Sequence, residues 1–348
     1  MSLKLLKYEC QKTLRQINKF ALTKFNYYFI INEIIIINLK IENILFDKKN
    51  KKGNPLKLSL KIIKNFQNRL KELDYLKNFD KNLYLKANNL NMEDDHKILF
   101  QDLWQNYSFN NYYHDRIQRY IKRIKINKLE KIIKNKNIID FGCGHGNFLL
   151  ACYEFKPKFC LGIDYGTNSI KFANNIRNKL GISNKLINFK VSSVYSTNIK
   201  EETFDFAIQN GVFHHLENEK KAYLEIHKVL KKDGYLWVYT DGGGGLRDII
   251  FDMCQKILKK IKKKIVVSQI RNIGLLNNKE YHLGDNMNAK YRHTTFEKLI
   301  KTLEQYGFKN FKQLNGGFST DFDKPFSKDK YFDVKFGSGD LRILCQKS

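Results

Sequence analysis

An α/β fold built on a mostly parallel sheet is what this chain of 348 residues predicts, and three observations carry the prediction. Ile138 and Ile139 lead to Asp140 and then into Gly142, Gly144 and Gly146, with helix-forming residues from Phe148 onward. That is a strand handing over to a helix through a glycine turn. A second apolar run, Phe159 to Asp164, ends in another acid 24 residues after Asp140, room for one helix and one more strand. Short apolar runs and amphipathic segments then keep alternating, the sequence mark of repeated strand–helix units around a parallel sheet.

The glycine turn reads G-x-G-x-G. Glycine lets backbone approach a ligand closely and adopt conformations that a side chain forbids. A dinucleotide fingerprint needs its third glycine at position 147, where this chain has Asn. The acid two residues before the first glycine would repel a pyrophosphate but suits a cationic ligand with amine and ribose groups.

Asn168 to Leu180 follows with Ile170, Ala173, Ile176 and Leu180 on a helical repeat, and Gly181 stops it. Ile187 to Val191 predicts a third strand. Phe204 to Asn210 predicts a fourth, followed by Gly211-Val-Phe-His-His-Leu216. Asn218 to Leu230 is an amphipathic helix, and the turn ending at Gly234 leads into a fifth strand, Tyr235 to Tyr239. Thr294 to Glu297 has the form of a capping box for a helix that reaches Gln305. Gly307 ends that helix, and the strands Phe308 to Leu314 and Leu341 to Cys345 close the sequence.

Taken together, these motifs resemble the class I (Rossmann-like) S-adenosylmethionine-dependent methyltransferases of small-molecule type, whose first motif reads roughly D-x-G-x-G-x-G. The resemblance covers about 100–245 and 291–348. It implies a seven-stranded, mostly parallel sheet flanked by helices, with the last two strands pairing antiparallel, an N-terminal accessory region and an insertion after strand five. It implies S-adenosylmethionine as donor and S-adenosylhomocysteine as product. Asp140, Gly142, Cys143, Gly144 and Gly146 would surround the donor's amino end, and Asp164 would hold the ribose beside Tyr165. The plainer role for Asp164 is to cap the helix starting near Asn168. Ser193 and Val194 occupy the place of the adenine contact, where the family usually has an acid; Ser193 is a weaker acceptor. Gln209 and Asn210 would face the sulfonium end. Arg116 is the candidate for the methionine carboxylate, with ordinary packing as its alternative. His215, and after it His214, are candidate general bases, since histidine titrates near neutral pH; local packing is the competing role. No Cys or His pair has metal-ligand spacing, so no metal is expected.

The formal net charge is +28, with hydrophobic residues at 42% and aromatics at 14%. The composition supports a packed core. The basic balance admits nucleic acid as a partner without favouring it, because lysines are spread along the whole chain. Six cysteines without a C-x-x-C pair point to a reducing, cytoplasmic compartment. Phe29 to Leu39 is too short and too interrupted for a transmembrane span, and its β-branched run Ile34 to Ile37 reads as a buried strand.

Four segments result: an accessory region at 1–95, a donor-binding core at 96–245, a basic helical insertion or lid at 246–290, and the rest of the core sheet at 291–348. Trp104, Tyr107, Tyr112, Tyr113, His114 and Arg116 cluster upstream of the core, where related enzymes fold an aromatic helix over the donor. In the insertion, a helix from Leu246 to Val266 puts Ile250, Met253, Ile257, Ile261 and Ile265 on one face. It could rest on a membrane surface, bind nucleic acid, cover the acceptor pocket or face a core. The loop with Gly316 to Asp323 and Lys335 to Asp340 offers polar groups to a pocket. The expected reaction is methyl transfer to an oxygen or nitrogen of a small polar acceptor by in-line displacement; the alternatives are an RNA or other nucleic-acid methyltransferase using the basic surface and, behind it, a non-catalytic donor-binding subunit. Oligomeric state is left open.

Overall fold

The computed structural model describes residues 1–18, 24–75, 114–274, 283–284 and 292–348. The aromatics Trp104, Tyr107, Tyr112 and Tyr113 lie outside the described residues. The chain divides into two compact units, one of 1–99, 243–290 and 327–339, the other of 100–242, 291–326 and 340–348.

The second unit holds one seven-stranded sheet: β1 (Asn137–Phe141), β2 (Phe159–Asp164), β3 (Ile187–Val191), β4 (Phe204–Asn210), β5 (Leu230–Asp241), β6 (Phe308–Gln313) and β7 (Asp340–Lys347). Its spatial order is β3-β2-β1-β4-β5-β7-β6. Strands β1 to β5 pair parallel, and β7 runs antiparallel to both β5 and β6. The chain winds outward from β1 to β3 and then returns to the other side of β1 with β4. The gap between the carboxyl ends of β1 and β4 is therefore the switch point where ligands bind in open α/β sheets.

Both faces of the sheet are covered, which is why its central strands read as continuous apolar runs rather than alternating ones. Alternate residues serve opposite cores. Ile138, Phe206, Ile208 and Trp237 face one layer, with Ile124 of helix His114–Ile126, Leu149 of helix Asn147–Tyr153 and Ile176 of helix Thr167–Lys179. Ile139, Phe141, Ala207 and Val238 face the other, with Ile226 of helix Glu219–Val229 and Leu303 of helix Phe296–Gln305. The cap of that last helix is Thr295, whose hydroxyl accepts from Lys298 N at 3.3 Å. The cap expected at Thr294 is thus displaced by one residue, and Lys298 at the third helical position cannot complete a capping box.

The first unit is helical among its described residues: α1 (Leu3–Asn18), α2 (Lys24–Leu45), α3 (Pro55–Tyr75), α9 (Leu246–Leu258), α10 (Lys263–Asn272) and the short α12 (Phe332–Phe336), with α4 to α8 and α11 being the six helices of the sheet unit that include Glu130–Ile133. The strand expected at Ile34–Ile37 is helix. Tyr27, Ile30, Ile34, Ile37, Ile41 and Ile44 recur at helical spacing and are all buried; burial on most sides overrides the weak β preference of isoleucine.

The single helix expected from Leu246 to Val266 is two, broken before Lys263. Ile250, Met253, Cys254 and Ile257 are buried where α9 packs on α1 and α2. The apolar face that a membrane-surface helix would insert is consumed inside this unit, which corrects the peripheral-membrane reading of 246–266. No described helix is long and apolar enough to cross a membrane.

Candidate functional site

The glycine turn is held by β2. Gly142 N and Cys143 N both donate to Ile163 O, at 2.8 and 2.9 Å, and Gly146 N donates to Cys143 O at 2.8 Å. Gly142, Gly144 and Gly146 have φ of +78°, +51° and +78°, the left-handed region that side chains resist. Two of the three are also packed against. A Cβ on Gly142 would lie 2.7 Å from Val212, and one on Gly146 would lie 2.4 Å from Phe189. A Cβ on Gly144 meets nothing within 4 Å. Gly144 is therefore the position where the turn opens outward, and its neighbours are where it is pinned.

Asp164 closes the turn from the tip of β2. Its two carboxylate oxygens accept from Gly144 N at 3.0 Å and Gly166 N at 2.8 Å. Burial raises its pKa, opposed by these two hydrogen bonds. Each oxygen keeps a second lone pair for another donor. Helix Thr167–Lys179 takes no side-chain cap from its N-cap residue, Gly166.

Asp140, one residue before the end of β1, lies beneath the turn, paired in register with Gly162 of β2 and Ile208 of β4. It is 3% exposed. Its Oδ1 is a buried atom without a hydrogen-bond partner among the described residues. Burial, and after it the Asp164 carboxylate, raise its pKa well above the ordinary value. A buried carboxyl of this kind is costly unless something pairs with it. The two acids thus address one turn, and the inner one lacks a donor. An amino group arriving over Gly144 would satisfy it, so the residues present fit a ligand with a cationic amine and hydroxyl groups. His145, inside the turn, packs on Phe172 with ring centroids 4.4 Å apart; burial lowers its pKa to about 4, so it is neutral near pH 7.

The remaining candidates are placed as follows. Cys143 is buried in the turn, and Tyr165, beside Asp164, leaves 43% of its surface exposed. Ser193 is exposed, and its hydroxyl accepts from Tyr195 N at 3.2 Å in a tight turn that includes Val194. Asn210 donates to the Tyr120 hydroxyl at 2.9 Å and accepts from Trp237 Nε1 at 3.2 Å. Gln209 does not join it: the alternation of a strand sends Gln209 to the opposite face, fully buried, where it donates to the Tyr223 hydroxyl at 3.3 Å.

Arg116 sits one turn before Tyr120 on helix His114–Ile126. His214 and His215 form a 3-10 turn after β4, both buried, with ring centroids 4.1 Å apart. His214 Nδ1 lies 3.0 Å from Thr240 Oγ1 on β5, and its carbonyl accepts from Arg292 N at 2.9 Å.

Sequence reasoning missed Tyr120, which stacks on Phe148 at 4.6 Å while receiving Asn210. Its signal was present: Ile117, Tyr120 and Ile124 mark the core-facing stripe of an otherwise basic helix. Phe189 was missed as the ring beneath Gly146 and Gly162, because a phenylalanine in an apolar strand carries no mark of that duty. The polar loop before β7 folds onto itself. Asp321, Asp323 and Asp340 surround the Arg342 guanidinium, and Asp321 also pairs with Arg123 at 2.6 Å.

Residues 132–282 match the family model described as a methyltransferase domain. The protein-lysine N-methyltransferase EFM4 of Saccharomyces cerevisiae is 29% identical over 117 residues, which are 30% of this chain and 50% of that protein. The EEF1A lysine methyltransferase 2 of Homo sapiens is 28% identical over 116 residues, covering 31% of this chain and 48% of that protein. The chain spans about half the length of these curated relatives. A crystal structure of the YcgJ protein of Bacillus subtilis aligns over 65% of this chain and 97% of that one, at 15% identity and a TM-score of 0.43.

Proposed function

We propose that this chain, which carries a domain of the class I S-adenosylmethionine-dependent methyltransferase family, moves a methyl group from S-adenosylmethionine onto an oxygen or nitrogen of a small polar acceptor. The observation that carries this reading is the pair of acids at one glycine turn, the inner one a buried carboxylate with an unpartnered oxygen. Asp140 would take the donor's amino group. Asp164, already tied to Gly144 and Gly166, would accept the ribose hydroxyls with its remaining lone pairs. Tyr165 offers an aromatic surface beside the ribose. Ser193 and Val194 border the adenine end, Asn210 the methyl end, and Arg116 the carboxylate.

The donor supplies a methyl group already activated on a sulfonium. The protein's work is then chiefly to align nucleophile and methyl carbon and to exclude water; such positioning is worth roughly 7–11 kcal/mol of barrier. A base is needed only for an acceptor that arrives protonated. Of the two buried histidines we assign that duty to His215 ahead of His214. The six cysteines are free and buried, which supports a reducing compartment such as the cytoplasm.

A second reading, transfer to a protein lysine, is favoured by the names of the relatives matched over the core. Incubation with labelled donor and, separately, a metabolite extract and a protein extract separates the two, by finding which pool gains one methyl by mass spectrometry. The donor assignment is tested by calorimetry. Asp164→Ala is expected to weaken S-adenosylmethionine binding about tenfold or more, the cost of a lost hydrogen bond to a charged group. Unchanged affinity removes Asp164 from the site.

A further inference from the structure

The segment from Lys48 to Lys71 contains eight lysines and Arg69 and no acid. All of it lies in the helical unit, as the α2–α3 turn and most of α3.

The turn is built to keep its acids inward. Asp47 accepts from Lys51 N at 3.2 Å and Lys52 N at 2.8 Å. Lys335, fully buried, donates to Asp47 O at 2.9 Å and to Asp329 at 2.8 Å. Asp329 in turn accepts from the Asn50 side chain at 2.9 Å. Both nearby carboxylates are thereby spent on backbone and on one buried ammonium. Lys48, Lys49, Lys51 and Lys52 remain exposed on a fixed loop.

Helix α3 continues the same surface. Lys57, Lys61, Lys64 and Lys71 are all exposed, and their spacing of four, three and seven residues places them on one stripe. The stripe is about 21 Å long at 1.5 Å per residue. Exposed Asn68 fills its one gap. Arg69 is withdrawn from it by its 2.5 Å bond to Glu33.

We propose that this ridge binds the phosphate backbone of RNA. A row of ammonium groups that releases counterions from a polyanion gives affinity without reading sequence, and no exposed acid interrupts the row. An anionic membrane fits less well. A helix lying on a bilayer must insert an apolar face, and the apolar face of α3 (Leu60, Ile63, Phe66 and Leu70) is buried inside its own unit. Exposed Phe46, at the start of the turn, is a single ring, suited to stack on a base.

The test uses the full chain and a labelled oligouridine. Lys57→Glu, Lys61→Glu and Lys64→Glu combined are compared with Lys185→Glu, Lys200→Glu and Lys220→Glu, which change net charge equally on exposed positions of the sheet unit. The ridge variant is expected to lose about tenfold or more in affinity, the control about twofold or less. The slope of log affinity against log salt should shrink by about 2, the value for three phosphates on a single strand. Lys48→Glu with Lys49→Glu is a second variant expected to lose affinity in the same sense, should the helix variant fold poorly by circular dichroism. Equal losses in ridge and control variants overturn the proposal. So does ridge-dependent co-sedimentation with phosphatidylserine vesicles tighter than oligouridine binding, or displacement of the RNA by polyglutamate at equal charge. Donor affinity, read by calorimetry, is expected to be unchanged in the ridge variants, so failure of the donor site and failure of the ridge are distinguishable.

Discussion

Asp140 is held in the fold at a cost to stability. Its carboxyl is buried, close enough to Asp164 to feel its charge, and has an oxygen without a partner. Because its folded pKa is raised, the unfolded chain gives up the proton first. Between the ordinary carboxylate value and the raised one, the folded state binds more protons than the unfolded state. Stability of the donor-free protein is therefore fully present below that window and falls as pH rises through it. Asp140→Asn removes this titration. Thermal midpoints measured against pH, without donor, should diverge in favour of the variant as pH rises, while the variant's donor affinity drops about tenfold or more. Parallel melting curves would mean that the carboxyl is not held at a cost.

At the scale of elements, the strands around the glycine turn were legible because each is an apolar run stopped by an acid or a glycine. Their spatial order, β3-β2-β1-β4-β5-β7-β6, is set by tertiary pairing and is not written in any one of these runs. What escaped was set by distant partners. Ile34 to Ile37 form a helix because the surrounding helices bury it. Thr295 rather than Thr294 caps helix Phe296–Gln305, a choice between identical side chains that only backbone geometry makes. Gln209 parts from Asn210 through strand alternation, which holds for a polar pair at a strand end as for any other two neighbours.

The loop before β7 belongs to this scale too. Arg342 holds it through Asp321, Asp323 and Asp340, at 3.3 Å and 3.0 Å for the first and last. Burial pushes Asp323 up to about 6, with Arg342 the main opposing influence. Arg342→Met would leave three buried carboxyls facing one another. It should destabilise the fold by about 3–5 kcal/mol, as breaking a buried ion pair does, measured by urea unfolding. Asp323→Asn should cost clearly less, since it leaves Arg342 two partners. If both substitutions cost the same, the network is not centred on the arginine.

For the whole molecule, the division into units is not a division of the sequence. The helical unit gathers 1–99, 243–290 and 327–339, so the segment after β5, which reads as an insertion in the core, completes the N-terminal region instead. Helix α9 packs on α1 and α2, and α12 packs on α3. Ile250, Met253, Cys254 and Ile257 are buried by those contacts. A chain begun at residue 100 would keep the whole sheet and both acids of the glycine turn, yet would uncover this face. Exposed apolar patches of more than a few hundred Å² drive association. Such a chain should accumulate in the insoluble fraction or bind a hydrophobic dye strongly, although every residue assigned to the donor is still present. Replacing Ile250, Met253 and Ile257 with polar residues in the shortened chain should restore solubility. A shortened chain that stays monomeric by sedimentation and melts cooperatively without those replacements would show that the core tolerates the loss, and that the N-terminal helices serve something other than covering α9.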